Sequence, residues 1–153
     1  MNDLNNPQQD YGPDYKVTLI MLCDPNGKFL LQHRTDDAYL LPGYWAFFGG
    51  GVHDGESLED SLRREVYEEL NYTPGSPTLM HEQYFKEGDV EGYLYIYIDR
   101  FTGDKSSLKL REGQGWGWFS EPETHTLKMT DRDREIVKRA DDYIRQHGTR
   151  AQL

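Results

Sequence analysis

The sequence predicts an α/β or α+β sandwich folded as a single domain. Strand-like segments lie before, between and after two amphipathic helical segments. The 153 residues are enough for one sizeable core but not for two. Aromatic residues make up 13% of the chain while all hydrophobic residues reach only 36%, so Tyr, Trp and Phe must supply much of the core, as is common in sheets.

The composition also limits the expected partners. Residues 1–14 are polar and are expected to form a mobile N-terminal tail, residues 15–147 to form the domain, and residues 148–153 to form a C-terminal tail. Seventeen basic and 27 acidic residues give a net charge of -10, which disfavours nucleic acid and anionic membranes as partners. A phosphate ligand would therefore need a bridging cation. The lone cysteine, the polar start and the short apolar runs suggest a cytoplasmic protein.

The first elements are strands. YKVTLIMLC (15–23) and KFLLQHR (28–34) flank the turn sequence DPNG (24–27), which predicts a β-hairpin. A loop is expected over 35–43. WAFFGGG (45–51) then predicts a short aromatic strand that ends in glycines.

The first helix is predicted over residues 58–70. Ser57 can cap its N-terminus with Asp60 three residues on, and Asn71 with the following Pro and Gly residues ends it. Strands follow at TLMHEQYF (78–85), at EGYLYIYIDRF (91–101), which should be covered on both faces, and at GWGWFS (115–120). Ser120 can cap a short helical turn, and Thr130 caps a final amphipathic helix that ends near His147.

The first helix has an unusual distribution of carboxylates. At about 100° per residue its leucines and Val66 form a core-facing stripe, and Glu65 and Glu69 border that stripe with Glu68 beside them. Such charges usually form a solvated face. Like charges at i, i+3 and i+4, however, destabilise a helix by about 0.2–0.5 kcal/mol per pair. A bound Mg²⁺ or Mn²⁺ would reverse this repulsion, since both ions prefer oxygen ligands.

Three glycines precede this helix, and together the two features match a family motif. The pattern G-x5-E-x7-R-E-U-x-E-E-x-G-U, with U a bulky apolar residue, is matched in register by Gly50, Glu56, Arg64, Glu65, Val66, Glu68, Glu69 and Tyr72. The chain therefore resembles a Nudix hydrolase. One position departs from the pattern: Asn71 replaces the late glycine, and Asn is the residue that best tolerates the left-handed conformation expected there.

The resemblance implies a Nudix-type α/β/α sandwich with a mixed β-sheet. It also implies metal-dependent hydrolysis of a phosphoanhydride bond in a nucleoside diphosphate linked to another group. By position, Glu65, Glu68 and Glu69 would be the catalytic metal ligands, with Mg²⁺ or Mn²⁺ as cofactor. The carbonyl of Gly49 or Gly50 would join them, and Glu65 or Glu69 would be the general base.

The remaining site residues implied by the resemblance lie outside the metal ligands. Glu56 and Arg64 would form a structural ion pair. Glu112 is the first candidate for an additional acid near the metal and Glu91 the second. Candidates for substrate binding are Arg34, which would contact a terminal phosphate, and Trp45 and Phe48 among the aromatics. His33, His53, His81 and His125 lack metal-ligand spacing and are expected to be non-catalytic.

Several alternatives remain for the substrate and the assembly. The expected reaction converts a nucleoside triphosphate, oxidised or normal, to a monophosphate and pyrophosphate. A nucleotide sugar, a dinucleotide or a dinucleoside polyphosphate is the alternative substrate. A Nudix domain that binds a nucleotide without hydrolysing it is the alternative class of protein. Either a monomer or a homodimer is consistent with the sequence.

Overall fold

The structure is a computed structural model, and it describes residues 15–147. Its main elements are seven strands and two α-helices in a single domain. Their bounds are β1 Lys16–Cys23, β2 Phe29–His33, β3 Trp45–Ala46, β4 Phe48–Gly51, α1 Leu58–Leu70, β5 Thr78–Glu87, β6 Val90–Arg100, β7 Gly115–Phe119 and α2 Asp131–Gln146. Two short 3-10 helices, Lys105–Ser107 and Pro122–Thr126, lie on either side of β7.

Strand β1 is the centre of one mixed sheet. It pairs antiparallel with β2 and β4 and parallel with β6, while β6 and β5 form an antiparallel hairpin. The sheet order is β3-β2-β1-β6-β5, and β7 pairs with β2. The mixed sheet expected from the family resemblance is therefore confirmed.

Alternation along β1 builds a core on each face of the sheet. Val17, Leu19 and Met21 belong to the cluster that contains the apolar stripe of α2. Ile20 and Leu22 face the opposite way, into the cluster that contains the apolar side chains of α1. Because successive side chains of a strand point to opposite faces, this segregation places one helix on each side of the sheet and forms the expected α/β/α sandwich.

The elements follow the sequence closely, with two differences. The aromatic segment 45–51 is two strands rather than one, since Phe47 lies between β3 and β4. In β6, Tyr97 is buried whereas Tyr93 is 43% exposed, so the cover on that face is incomplete. The expected tails, 1–14 and 148–153, lie outside the described residues. Among residues 15–147 no helix is long and apolar enough to cross a membrane.

Candidate active site

Helix α1 is fixed at both ends. Ser57 accepts a hydrogen bond from the Asp60 backbone N–H (3.1 Å), and Asn71 ends the helix in the left-handed conformation, with φ 57° and ψ 39°. Beyond the end, Lys109 and Arg111 donate backbone N–H groups to the carbonyls of Leu70 (3.0 Å) and Glu69 (2.8 Å). Carbonyls that normally lack a partner at a helix C-terminus are thereby satisfied, and the carboxylate-bearing last turn is held in place.

Two of the α1 carboxylates are buried. Glu65 is 0% exposed and Glu69 1% exposed, because both lie on the part of the helix that packs on β1 and β4. Oε1 of Glu69 accepts the Gly49 backbone N–H at 3.0 Å, and in the described chain no donor reaches its Oε2. Burial raises the pKa of Glu69 well above its ordinary range, and the charges of Glu65 and Glu112 add to that shift.

Strand β4 approaches the buried pair closely. A Cβ atom at Gly50 would lie 2.5 Å from Cδ of Glu65 and 2.6 Å from both of its carboxylate oxygens. Only a residue without a side chain leaves room for this carboxylate. The glycine requirement in the motif therefore has a steric cause at Gly50.

Arg64 connects the loop before the helix to the helix itself. Its Nε and Nη2 donate to the two carboxylate oxygens of Glu56, at 2.6 and 3.0 Å, and Nη2 also donates to the Gly51 carbonyl at 3.1 Å. The predicted Glu56–Arg64 pair is present, and its bidentate geometry lowers the pKa of Glu56 to about 2. Nη1 of Arg64 donates to Glu65 (3.0 Å) and lies 3.6 Å from Glu68, contacts that the sequence did not predict.

The donor set suits a divalent cation. Glu65 and Glu69 form a buried, like-charged pair, an arrangement that a cation would stabilise. Glu68 lies at the rim, with a side chain 36% exposed. Within the described residues no three acidic, histidine or cysteine side chains already converge as a complete ligand set. The pair is thus preformed, while Glu68 is directed toward Arg64.

Arg34 lines a small cavity. It is 4% exposed, and its Nε donates to the Leu40 carbonyl at 2.8 Å. Burial lowers the pKa of Arg34, and the negative charges of Glu112, Glu69 and Asp133 oppose that shift. With Asp133 and Arg132, Arg34 lines a cavity of about 50 Å³ that is otherwise mainly apolar. The structure therefore brings Arg34 and Glu112 toward the carboxylates but leaves Arg34 little access to solvent.

Other predicted residues lie apart from the pair. Phe48 is 0% exposed in the core under α1, which corrects its assignment to substrate binding because it has no surface to offer. Trp45 stacks on His33 with ring centroids 4.8 Å apart. Glu91 accepts a hydrogen bond from the Tyr84 hydroxyl (2.6 Å) across the β5–β6 hairpin, and its assignment as a second acid near the metal stays a prediction.

The four histidines singled out in the sequence make other contacts. His33 bonds the Gly43 carbonyl (3.1 Å), His81 bonds Gln83 (2.9 Å) and His125 bonds Glu121 (2.6 Å). The backbone N–H of His53 donates to Glu56 (2.9 Å). None of these contacts involves the buried carboxylate pair.

The sequence did not single out two polar residues near the site. Asp133 lies in the first turn of α2, is 3% exposed and lines the cavity beside Arg34. Gln114 donates its side-chain amide to the Arg34 carbonyl at 2.8 Å and to Asp36 at 3.1 Å. The signal available for Gln114 was its place between Gly113 and Gly115, two residues after Glu112.

The fold and the carboxylate helix define a Nudix domain, and the comparisons agree: residues 13–140 match the NUDIX domain family. The chain belongs to this family. Nucleoside triphosphatase NudI of Escherichia coli O139:H28 (strain E24377A / ETEC) is 49% identical over 107 residues, which cover 63% of this chain and 76% of that relative. Nucleoside triphosphatase NudI of Enterobacter sp. (strain 638) is 29% identical over 119 residues, 71% of this chain and 84% of that relative.

Solved structures share the fold. The MutT protein from Methanosarcina mazei Go1 superposes with a TM-score of 0.75 at 22% identity, covering 88% of this chain and 98% of that one. The identity is low enough that this similarity supports the fold alone. The match to the family model and the NudI relatives confirm the predicted membership of the Nudix hydrolases, and with it the class of enzyme. Nudix hydrolases generally use divalent metal ions.

Proposed function

We propose that the protein hydrolyses nucleoside triphosphates to the monophosphate and pyrophosphate. Water supplies the oxygen of the new bond to phosphorus at one side of the α–β bridge, and the bridging oxygen leaves with the other side. The observation that carries this proposal is the buried Glu65–Glu69 pair against Gly50. The names of the curated relatives support a triphosphate substrate.

Mg²⁺ is the proposed cofactor, and Mn²⁺ would substitute for it. Glu65, Glu69 and Glu68 would hold the ion, with the carbonyl of Gly49 or Gly50 as a further oxygen ligand and Glu112 as an additional acid. When bound, such an ion lowers the pKa of a coordinated water and neutralises phosphate charge. In a chain of net charge -10, that neutralisation is needed before a triphosphate can approach.

One carboxylate of this chain would act directly on the water. Glu65 or Glu69 would accept the proton of the attacking water, and burial raises the pKa of Glu69. Arg64 would keep Glu65 oriented through its 3.0 Å hydrogen bond. The two carboxylates are thus proposed to work within a rigid frame rather than on a mobile loop.

The remainder of the substrate would extend toward Arg34. Arg34 lines the cavity, and its charge interacts with those of Glu112, Glu69 and Asp133. Arg132 and Asp133 offer donors and acceptors in that cavity. We propose that Arg34 contacts a phosphate and that the base lies in the cavity, which would have to widen to accept it.

The test is a panel of nucleoside triphosphates, nucleotide sugars and dinucleoside polyphosphates with Mg²⁺ or Mn²⁺, measuring released monophosphate, pyrophosphate and phosphate. Glu69→Gln and Glu68→Gln should each lower kcat by orders of magnitude while the circular dichroism spectrum is retained. Glu59→Gln is the matched control, because Glu59 lies on the same helix with a side chain that is 54% exposed. Its turnover should equal that of the wild type.

The outcomes separate the alternatives. Hydrolysis of a nucleotide sugar or dinucleoside polyphosphate in preference to every triphosphate would overturn the proposed substrate but keep the site. Tight binding of a nucleotide with no turnover in the wild type would identify a binding domain instead of an enzyme. Full activity of Glu69→Gln would overturn the assignment of the buried pair.

A further inference from the structure

The turn formed by residues 111–114 is hydrogen-bonded both to the C-terminal end of α1 and to the end of β2. At one end the backbone N–H of Arg111 donates to the carbonyl of Glu69 (2.8 Å), in the last turn of α1. At the other end the backbone N–H of Gln114 donates to the carbonyl of His33 (2.7 Å), the last residue of β2. Glu112 lies between these two anchors.

The side chain of Gln114 strengthens the second anchor. Its Nε2 donates to the Arg34 carbonyl (2.8 Å) and to Oδ1 of Asp36 (3.1 Å). One amide group therefore binds the turn to the residue that faces the cavity and to the loop that follows it. Replacing this amide would remove both side-chain hydrogen bonds and leave only the backbone contact to β2.

Gly113 allows the turn to lie this close to β2. Its φ is +84°, and a Cβ atom there would lie 2.8 Å from the His33 carbonyl oxygen and 2.9 Å from Oε1 of Gln32. Gln32 is itself fully buried and anchored by its Nε2 to the Phe47 carbonyl at 3.0 Å. The turn thus packs against the anchored side chain of Gln32, which restricts the position of the Glu112 backbone.

We infer that Gln114 is a positioning residue, which holds Glu112 opposite the Glu65–Glu69 pair so that Glu112 completes the cation site. The electrostatic influence of Glu112 on both Glu69 and Arg34 is consistent with this placement. The inference rests on the proposed function, because it assigns Glu112 a place beside the metal. The hydrogen bond from the Gln114 amide to the Arg34 carbonyl would at the same time fix the backbone of Arg34, so one turn would position both Glu112 and Arg34.

A double-mutant cycle tests the inference through metal affinity, a readout besides turnover. Mn²⁺ binding is measured by electron paramagnetic resonance for the wild type, Gln114→Ala, Glu112→Gln and the double variant. Glu112→Gln should weaken Mn²⁺ binding about tenfold and Gln114→Ala by about threefold or more. In the Glu112→Gln background Gln114→Ala should add nothing, because Gln114 acts through Glu112.

Controls separate positioning from a general structural role. Gln146→Ala, at an exposed position of α2, should leave Mn²⁺ affinity unchanged. The kcat of Gln114→Ala should recover toward the wild-type value at saturating Mn²⁺, whereas a distorted fold would not recover. Melting temperatures of all variants show whether each remains folded, and Gln114→Asn serves as a second variant if Gln114→Ala does not.

The outcomes also distinguish the inference from the proposed function. Unchanged Mn²⁺ affinity in Gln114→Ala, or an additive cycle, overturns the role of Gln114 alone. If the wild type binds Mn²⁺ but hydrolyses no triphosphate, the proposed substrate is overturned. The double-mutant cycle still tests the role of Gln114 in that case. A wild type that binds no Mn²⁺ overturns the cation site and the inference with it.

Discussion

Replacing Glu69 with Gln should stabilise the metal-free protein although it abolishes turnover. The new side chain keeps an oxygen for the Gly49 N–H and gains an amide that can donate to Glu65, so a like-charged contact becomes a hydrogen bond. A hydrogen bond to a charged group contributes about 1.5–3 kcal/mol. For a chain of this size each kcal/mol raises the melting temperature by about 2–4 °C, which gives an increase of about 3–12 °C.

The assay is thermal unfolding at pH 8, first with EDTA and then with increasing Mg²⁺. The wild type should melt below Glu69→Gln in EDTA, and its melting temperature should rise with Mg²⁺ because a ligand that binds only the folded state stabilises it. Glu69→Gln should gain little from Mg²⁺, and Glu59→Gln should follow the wild type throughout. A metal-free Glu69→Gln that melts at or below the wild type would refute the argument that a repulsive pair is held in the fold.

Three further predictions concern the frame around the pair. Gly50→Ala should lower kcat at least a hundredfold, because its methyl group would displace the carboxylate behind it, whereas Gly75→Ala, which would meet nothing within 4 Å, should be active. In urea unfolding measured from pH 6 to pH 2, the stabilisation from Glu56 is complete above its ordinary pKa of 4.5 and is lost as the pH falls toward about 2. In Glu56→Gln the free energy of unfolding should fall less steeply with decreasing pH. The difference from the wild type should be about 1 kcal/mol, because the pair with Arg64 is partly solvated. Asn71→Ala should cost about 1 kcal/mol of unfolding free energy, because only Gly and Asn readily adopt its left-handed backbone, and Asn71→Gly should cost less.

Helix α1 could be predicted from the sequence because its determinants are local. The cap at Ser57, the breakers after Leu70 and the apolar period lie within the helix or next to it, and the structure gives the predicted bounds. Glu65 and Glu69, which the projection placed beside the apolar stripe, are buried together with it. Such local patterns predict the folded helix well because the sheet buries the face that the apolar repeat defines.

The contacts that complete the site were not predictable in the same way. Gln114 hydrogen-bonds to Arg34 and Asp36, which are far from it along the chain, and no periodic pattern marks such a pairing. The sequence also did not show that the hairpin register places Glu91 beside Tyr84. Phe48 was predicted to bind substrate because the alternation of side chains along the strand could not show which face of the sheet α1 would cover.

Lys109 and Arg111 donate to the last turn of α1 from a segment that is distant along the chain, so we expect that turn and that segment to unfold together. The C-terminal end of α1 should therefore open only when residues 109–111 separate from it. Amide hydrogen exchange would report this coupling. The Lys109 and Arg111 amides should show protection equal to that of the Asn71 amide, which donates to the Tyr67 carbonyl, and all three should be lost together.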